Sequence, residues 1–439
     1  MAILNVGFNQ PFASIMDAVA SSTAGDTIQV QAGTYTNDFA TINHALTLEA
    51  VGGMVNIVAT EAPPNGKAIM DVNANVTVTG FAFSGAQVAD GNGAGIRYEE
   101  GNLTLDGDYF HDNQEGLLAG ADPSGSITIS ASEFAHNGAG DGYTHNLYVG
   151  DVGALTITDS YFHDAVVGHE IKSRAETTTI SNSRVQDGPD GTASYSIDLP
   201  NGGNAVIQGN VIEQGPNSQN PAIIAYGEEG NVHAGSSLAV TGNTILNDLT
   251  SGSATATWNA SGAPAAMTGN AIFGLSPGQL TRGSVDVSGN TTLTSEPALD
   301  TSSPVHSTPT PTPAPTPDPA PSPAPAVADT LVLHLSEDMF QGNAEFIASV
   351  DGNGLGAAQP VTALQNAGQS EDFTFKGDFG PGVHDLAVTF LNDAYGGTPA
   401  ADRNLYVNGV DLDGTHYASA TASLYSAGTM HFQIGVPST

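Results

Sequence analysis

Six segments of closely similar pattern recur along the first part of the chain about every 23 to 30 residues: VTVTGFAFSG from Val76, LTLDGDYFHD from Leu103, ITISASEFAHN from Ile127, LTITDSYFHD from Leu155, TTISNSRVQD from Thr178 and AVIQGNVIEQ from Ala205. A period of that length marks a solenoid, whose coils must stack because no single coil can bury its own apolar face. Each segment opens with strict alternation, so that Leu155 and Ile157 face one way and Thr156 and Thr158 the other. A bend follows at Asp, Asn or Ser. An aromatic or aliphatic residue then turns inward, at Phe110, Phe134, Phe162, Val185 and Ile212. Coils of this kind satisfy one another's backbone groups in parallel sheets. A leucine-rich horseshoe would need its own leucine/asparagine consensus and helical segments, and neither is present. The pattern predicts a parallel β-helix.

The repeat ends before a run of alternating proline and small residues, PTPTPAPTPDPAPSPAP, which favours polyproline II and acts as a semi-rigid spacer. The expected organisation is a β-helix with an N-terminal cap over residues 1–303, a linker over 304–326, and a second domain over 327–439. In the last segment, alternating strands separated by Gly, Asp and Asn turns predict a small β-sandwich, so the whole chain reads as all-β.

Charge narrows the partners. The chain carries 45 Asp and Glu against 8 Lys and Arg, a formal net charge of -37. Nucleic acid and anionic membrane surfaces would meet a repulsive field, so neither is expected as a partner. The same excess of carboxylates suits solubility and hard cations such as Ca2+. With no cysteine there are no disulfides, thiolate metal sites or cysteine nucleophile. The opening MAILNVGFNQPFASIMDAVA has neither a basic n-region nor an unbroken apolar h-region, and no apolar run is long enough to span a bilayer. Membrane insertion is therefore not expected, and an extracellular location implies either a signal outside the given sequence or export by a route without a cleavable signal peptide.

A second strand of each coil aligns on an inward aliphatic: Ile96, Leu117, Leu147, Ile171, Ile197 and Ile223. Stacking then places Arg97, Leu118, Tyr148, Lys172 and Asp198 in one outward column and Asn146, Glu170 and Ser196 in another, with Arg174 two positions beyond Lys172. Three adjacent coils thus pool His145, Asn146, Tyr148, His169, Glu170, Lys172, Arg174, Ser196 and Asp198. A Lys/Arg pair in so acidic a chain is a natural anchor for a substrate carboxylate.

Elimination from a uronate needs a cation at the carboxylate, a base for the C5 proton and an acid for the leaving oxygen. Arg174 is the candidate cation, Lys172 the candidate base provided a cationic neighbour lowers its pKa, and Tyr148 or His169 the candidate acid. His145, Asn146, Glu170, Ser196 and Asp198 are the candidate substrate contacts. Two other readings stay open: Glu170 and Asp198 as an acid/base pair for glycoside hydrolysis, and Lys172 with Glu170 or Asp198, and Arg174 with Glu176, as a surface ion ladder. His111 and His163 read as a stacking ladder at a bend, and Trp258 as a sugar platform or packing residue.

The stretch PFASIMDAVASSTAGDTIQVQAGTYTN resembles the N-terminal cap of the pectin-lyase-like superfamily of right-handed β-helices, with a short amphipathic helix over Ile15 to Ala20, a GDTI turn and a GTY coil. The resemblance spans roughly Phe8 to Ser295 and implies the right-handed fold, which hosts lyases, hydrolases, epimerases and adhesins alike. The last segment contains SED-x-x-QG and FLNDAYGG-x-x-x-x-DRNLYV, and in these it resembles the calcium-dependent xylan-binding modules. That resemblance implies Ca2+ held by loop carboxylates and touching sugar hydroxyls, with Asp393 and Asp402 as ligands and Glu337, Asp338 and Asn392 nearby. The expected function is a secreted polysaccharide lyase for a uronate-containing glycan, against the alternative of a non-catalytic adhesin, matrix or surface-layer protein.

Overall fold

The computed structural model describes residues 1–305 and 329–435, apart from residues 352, 357, 378, 380, 381, 397, 399, 400, 418 and 419. The linker expected over 304–326 falls almost wholly outside the described residues. Two compact units result, Met1–Thr312 and Pro313–Thr439.

The first unit is a parallel β-solenoid of about ten turns. One sheet of ten short strands runs along it, in the order Thr281–Arg282, Thr255–Asn259, Ala222–Tyr226, Ile197–Leu199, Ile171–Ser173, Leu147–Val149, Glu115–Ala119, Ala94–Glu100, Ala68–Asn73 and Ala40–Ile42. The alternating segments form the rest of each coil: Val152–Thr158 and, after a bend, Tyr161–His163. Leu155 and Ile157 are fully buried, as the alternation requires. In the next coil Thr178 takes the place equivalent to Leu155, and its inward hydroxyl is satisfied by Ser173 Oγ at 2.9 Å.

The inward aromatics stack. Phe83, Phe110, Phe134 and Phe162 lie 5.0, 4.5 and 4.7 Å apart by ring centroid, with interplanar angles of 15°, 10° and 8°. Val185, Ile212, Ile245 and Ile272 continue the row.

The bends are stitched by their own side chains. Ser132 Oγ accepts from the backbone N–H of Asp108, Ser160 from Ser132, Ser183 from Ser160, Asn210 from Ser183, Asn243 from Asn210 and Asn270 from Asn243, at 2.8–3.1 Å. The residue before each of these stitching side chains is left-handed, from Ala131 (φ 46°) to Gly269 (φ 67°). Left-handed geometry turns the next side chain toward the preceding coil, and short polar side chains reach its amide.

The helix Ile15–Ser21 buries Ile15, Ala18 and Val19 in the core. Too short to hold itself together, it is pinned at its start by Asp38, whose carboxylate accepts from the amides of Ile15 (2.6 Å) and Met16 (2.9 Å), and by the Ser14 cap.

In the second unit two antiparallel sheets enclose a separate core. One orders Glu371–Gly377, Asp329–Asp338, Asp402–Leu412 and Ala394–Tyr395; the other orders Asn353–Gly354, Glu345–Val350, Val383–Phe390 and Gly428–Gly435. Leu333, Leu335, Phe346, Val388, Phe390 and Leu405 fill the space between them.

Candidate functional site

On the outer face of the ten-stranded sheet one residue per coil stands in register: Asp71, Arg97, Leu118, Tyr148, Lys172, Asp198, Ala225, Trp258 and Arg282. The inward column passes from Ile197 to Ile224 rather than to Ile223, a choice that an apolar pair leaves open in the sequence and the hydrogen-bond register makes. Trp258 is half-buried with the Arg282 guanidinium 4.3 Å from its ring, so it is an outward residue of the same column.

Loops at 90–92 and 141–144 and the turn at Glu229 close around the middle of the column. They bound a cleft of about 640 Å3 lined by Arg97, Leu118, His145, Tyr148, Lys172 and Arg174 among others. The turn after Ala222–Tyr226 folds back over two coils: His233 Nε2 lies 2.9 Å from the carbonyl oxygen of Arg174, and Glu229 reaches Lys172.

Lys172 is 8% exposed and sits between two carboxylates, with Nζ 3.1 Å from Asp198 Oδ2 and 3.1 Å from Glu229 Oε1. Burial works to lower its pKa, but Asp198 and Glu229 outweigh burial and leave it raised. Lys172 is therefore held as an ammonium by Asp198 and Glu229, although Arg174 shares Glu229 with it, and the lowered pKa that its expected base role required is absent. Arg174 donates from Nε to the Tyr148 hydroxyl (2.9 Å) and from Nη1 to Asn201 Oδ1 (2.6 Å), and its Nη2 is 2.7 Å from Glu229 Oε2. The ion partner of Arg174 is Glu229, not Glu176.

Beneath the cleft Asp198, 1% exposed, collects Lys172 and His169, whose Nε2 is 3.3 Å from Oδ2. Both contacts are ion-pair contacts: neither Asp198 oxygen has a hydrogen-bond donor, and neither has the buried Oε2 of Glu228. Burial, with the Asp198 carboxylate second, pushes Glu228 up to about 8. Ligand oxygens of Asp198, Glu228 and Glu229 lie within 4.8 Å of one another; the Lys172 ammonium already supplies their countercharge.

His145 and His169 stack at 4.5 Å. Each accepts a backbone N–H at Nδ1, His145 from His169 (3.0 Å) and His169 from Tyr195 (3.3 Å), which leaves Nε2 as the protonated nitrogen. Burial holds His145 well below the usual imidazole range and brings His169 down to about 4. His169 thus faces Asp198 as a neutral imidazole at 3.3 Å.

Asn146, Glu170 and Ser196, expected on the outer face, are buried instead. The chain is still turning just before each strand begins, so the alternation does not yet apply. Glu170 Oε2 accepts from Asn146 Nδ2 (2.5 Å), Oε1 accepts from the Ala165 amide (3.0 Å), and Asn146 Oδ1 accepts from Asn137 Nδ2 (2.8 Å). Burial raises Glu170 well above the carboxylate range. Ser196 Oγ donates to the Glu213 carbonyl oxygen at 3.1 Å. These three build the corner, and Glu170 does not pair with Asp198. His111 and His163 share a column but are not successive: Ala135 stands between them, and His163 contacts Asp164 and Glu133.

In the second unit, strand alternation separates Glu337 from Asp338. Glu337 pairs across with Leu405, its Oε2 accepts from the Ala344 amide and its buried Oε1 lacks a donor. Asp338 pairs across with Asn404 and its Oδ2 accepts from the Tyr406 hydroxyl at 2.6 Å. Asn404 presents a buried Oδ1 that accepts nothing, and Asp402, two residues earlier on the strand, shares its face. Asn392 spends both side-chain atoms on backbone, accepting from Glu345 (2.8 Å) and donating to Asn343 (3.0 Å). Asp393 is exposed in the preceding loop. An orphaned amide oxygen beside carboxylates is a donor set that fits a hard cation, with Asp338, Asp402 and Asn404 as the residues to hold it. Asn404 went unnoticed in the sequence because an amide inside the strand run DRNLYV gives no signal of its own.

Residues 330–427 match the family model described as a Ca-dependent, xylan-binding carbohydrate-binding module. No curated protein sequence matches the chain. Among solved structures, Geobacillus virus E2 ORF18 shares 13% identity at a TM-score of 0.44, covering 63% of this chain, which spans only 56% of that one. The pectin methylesterase from Aspergillus niger in deglycosylated form shares 15% identity at a TM-score of 0.39, covering 68% and 91% of the two chains. The pectate lyase Pel9A shares 17% at 0.38, covering 66% and 78%. The pectin methylesterase and the pectate lyase are right-handed β-helix folds. No helix among the described residues is long and apolar enough to cross a membrane.

Proposed function

We propose that this chain is a secreted polysaccharide lyase that cleaves a uronate-containing glycan in the solenoid cleft, while the C-terminal module over 327–439 holds the polymer. The observation that carries the reading is that Arg97, Lys172 and Arg174, three of the eight basic residues in the chain, line one cleft with Tyr148. Asp90, Glu115, Asp141 and Glu229 line the same cleft, so the place for an anionic group is the Arg174 guanidinium once Glu229 yields it.

Arg174 pairs with the uronate carboxylate and lowers the cost of charge at C5. Tyr148, whose oxygen accepts from that guanidinium, takes the C5 proton. The C4–O bond breaks as the C4=C5 double bond forms, and the proton passes from Tyr148 to the leaving oxygen. Lys172 remains cationic and fixes Asp198 and Glu229 around the cleft. In the module Asp338, Asp402 and Asn404 would hold Ca2+, which would supply a contact for vicinal sugar hydroxyls.

One observation favours a second reading. Glu228, pushed up to about 8 by burial with the Asp198 carboxylate second, stands beside Asp198 beneath the cleft as the acid of a hydrolytic acid/base pair would. The test is to incubate the full chain with Ca2+ and a panel of acidic polysaccharides, following the absorbance of unsaturated uronate and the appearance of reducing ends. Both signals support elimination. Reducing ends alone establish hydrolysis, and neither signal with glycan binding retained points to an adhesive or matrix protein.

A further inference from the structure

The second unit carries a cluster that its glycan-binding reading does not use. Three neighbouring strands and a hairpin bring together four residues far apart in sequence. His334 pairs across to Asp372 on one side and to Gly409 on the other, where the register is bulged, and Asp411 pairs with His416. His334 Nδ1 is 2.6 Å from Asp372 Oδ1, His334 Nε2 is 3.2 Å from Asp411 Oδ2, and His416 Nδ1 is 2.5 Å from Asp411 Oδ1.

We propose that His334, Asp411 and His416 bind one zinc ion, with Asp372 holding His334 in the tautomer that ligates. Three features carry this. Asp372 meets Nδ1 of His334 and so aims Nε2 at Asp411 Oδ2, 3.2 Å away, close to the separation of two ligand atoms on one tetrahedral ion. Carboxylate–histidine pairs of this kind are the usual outer support of a metal ligand. The ligand atoms of His334, Asp411 and His416 all lie within 4.8 Å of one another, and tetrahedral zinc with bonds near 2.0–2.1 Å needs separations of about 3.3 Å.

The third feature is the floor of the cluster. A Cβ on Gly409 would lie 2.9 Å from His416 Cε1 and 3.5 Å from His334 Cδ2, so the absent side chain is what lets the two imidazoles converge. The backbone there does not need glycine for its φ. Two imidazoles and one carboxylate select zinc over calcium, which prefers all-oxygen sets. Three protein ligands leave a fourth position open to solvent, where His416 is 57% exposed on its side chain.

The experiment is isothermal titration of the full chain with zinc sulfate in saturating calcium, run on the unmutated protein and on His416→Ala, Asp372→Asn and Gly409→Ala. The expected result is one zinc equivalent lost in His416→Ala, bound about 10- to 100-fold more weakly in Asp372→Asn, and impaired in Gly409→Ala. Cobalt substitution should give visible absorption bands in the unmutated chain that vanish in His416→Ala. Because His416 is exposed, that variant keeps its fold, which a calcium-binding control confirms. Identical zinc isotherms for the unmutated chain and His416→Ala overturn the proposal, and the cluster is then a set of His–Asp ion pairs with a protonated His334.

Discussion

Arg174 donates from Nε to the Tyr148 hydroxyl at 2.9 Å, and its Cζ lies 5.7 Å from the centroid of the same ring. A guanidinium so placed holds the hydroxyl beside whatever carboxylate the arginine binds. Tyr148→Phe removes the proton carrier and keeps the ring. Turnover of a uronate glycan should fall by about 100-fold or more, the usual contribution of a positioned acid/base group. The melting temperature should hardly move, since the hydroxyl faces outward. Turnover within a few-fold of the unmutated chain would place the proton transfer elsewhere, with Glu228 the next residue to change.

Glu229 occupies the cations that the substrate needs. Its two oxygens meet Lys172 and Arg174 at 3.1 and 2.7 Å, and its side chain is 44% exposed on a turn. A uronate carboxylate must displace it from Arg174 before binding. Glu229→Gln weakens that internal competitor without changing shape, so KM for an acidic glycan should drop several-fold with kcat little changed. A rise in KM would mean that Glu229 itself contacts the sugar.

Buried acids make the solenoid sensitive to base. Burial pushes Glu228 up to about 8 and Glu213 up to about 7, while His163 is raised to about 9 because Asp164 and Glu133 outweigh burial, which would lower it. The folded chain keeps protons at the two glutamates that the unfolded chain releases above the ordinary value of 4.5, and at His163 one that it releases above 6.5. All three contributions are lost as pH rises, so stability must fall between about pH 6.5 and 9. Calorimetry across that range should show a steadily declining melting temperature, and Glu228→Gln should flatten part of the decline. A melting temperature that climbs with pH would refute the assignment.

The coils were legible because two independent periodicities agree in the sequence: alternation at Leu155 and Ile157, and a bend residue such as Ser160 or Asn210 at a fixed distance beyond it. Once those fix the register, the outward column from Arg97 to Asp198 follows by counting. Counting fails at the corners. Asn146 and Glu170 precede their strands by one residue, and their side chains turn inward to bond each other and Asn137, so the substrate contacts expected there are structural. It fails again in the return loops, since no register ties Glu228 and Glu229 to the coils they reach across. Lys172 shows the consequence. Read from the sequence it has Arg174 as its neighbour and suits a base; with Glu229 folded over it, it is a cation between two anions. In the module, SED reads as a cluster of carboxylates, yet the pleat of the strand sends Glu337 and Asp338 to opposite faces.

Asn243 offers a test of how the solenoid is held together. Its Oδ1 accepts from the Asn210 amide at 2.9 Å, and its Nδ2 donates to the Ile207 carbonyl oxygen at 2.9 Å and to Asn270 Oδ1 at 3.0 Å. The side chain is 1% exposed, so water cannot replace it. Asn243→Ala takes the acceptor from the Asn210 backbone N–H and from one of its side-chain N–H groups, and a donor from the Ile207 carbonyl, and should cost about 2–4 kcal/mol for the two buried donors left unsatisfied. Asn243→Ser should recover part of the loss, because Ser132, Ser160 and Ser183 show that a hydroxyl can accept the preceding amide, though it lacks the second donor that links to Asn270. Stability in a stacked array is carried between nearest neighbours. Hydrogen exchange should therefore quicken in the coils holding Asn210, Asn243 and Asn270 and leave the amides around the Phe110–Phe162 stack protected. Uniform loss of protection along the whole unit would show that the bends act as one cooperative structure, not as a chain of local links.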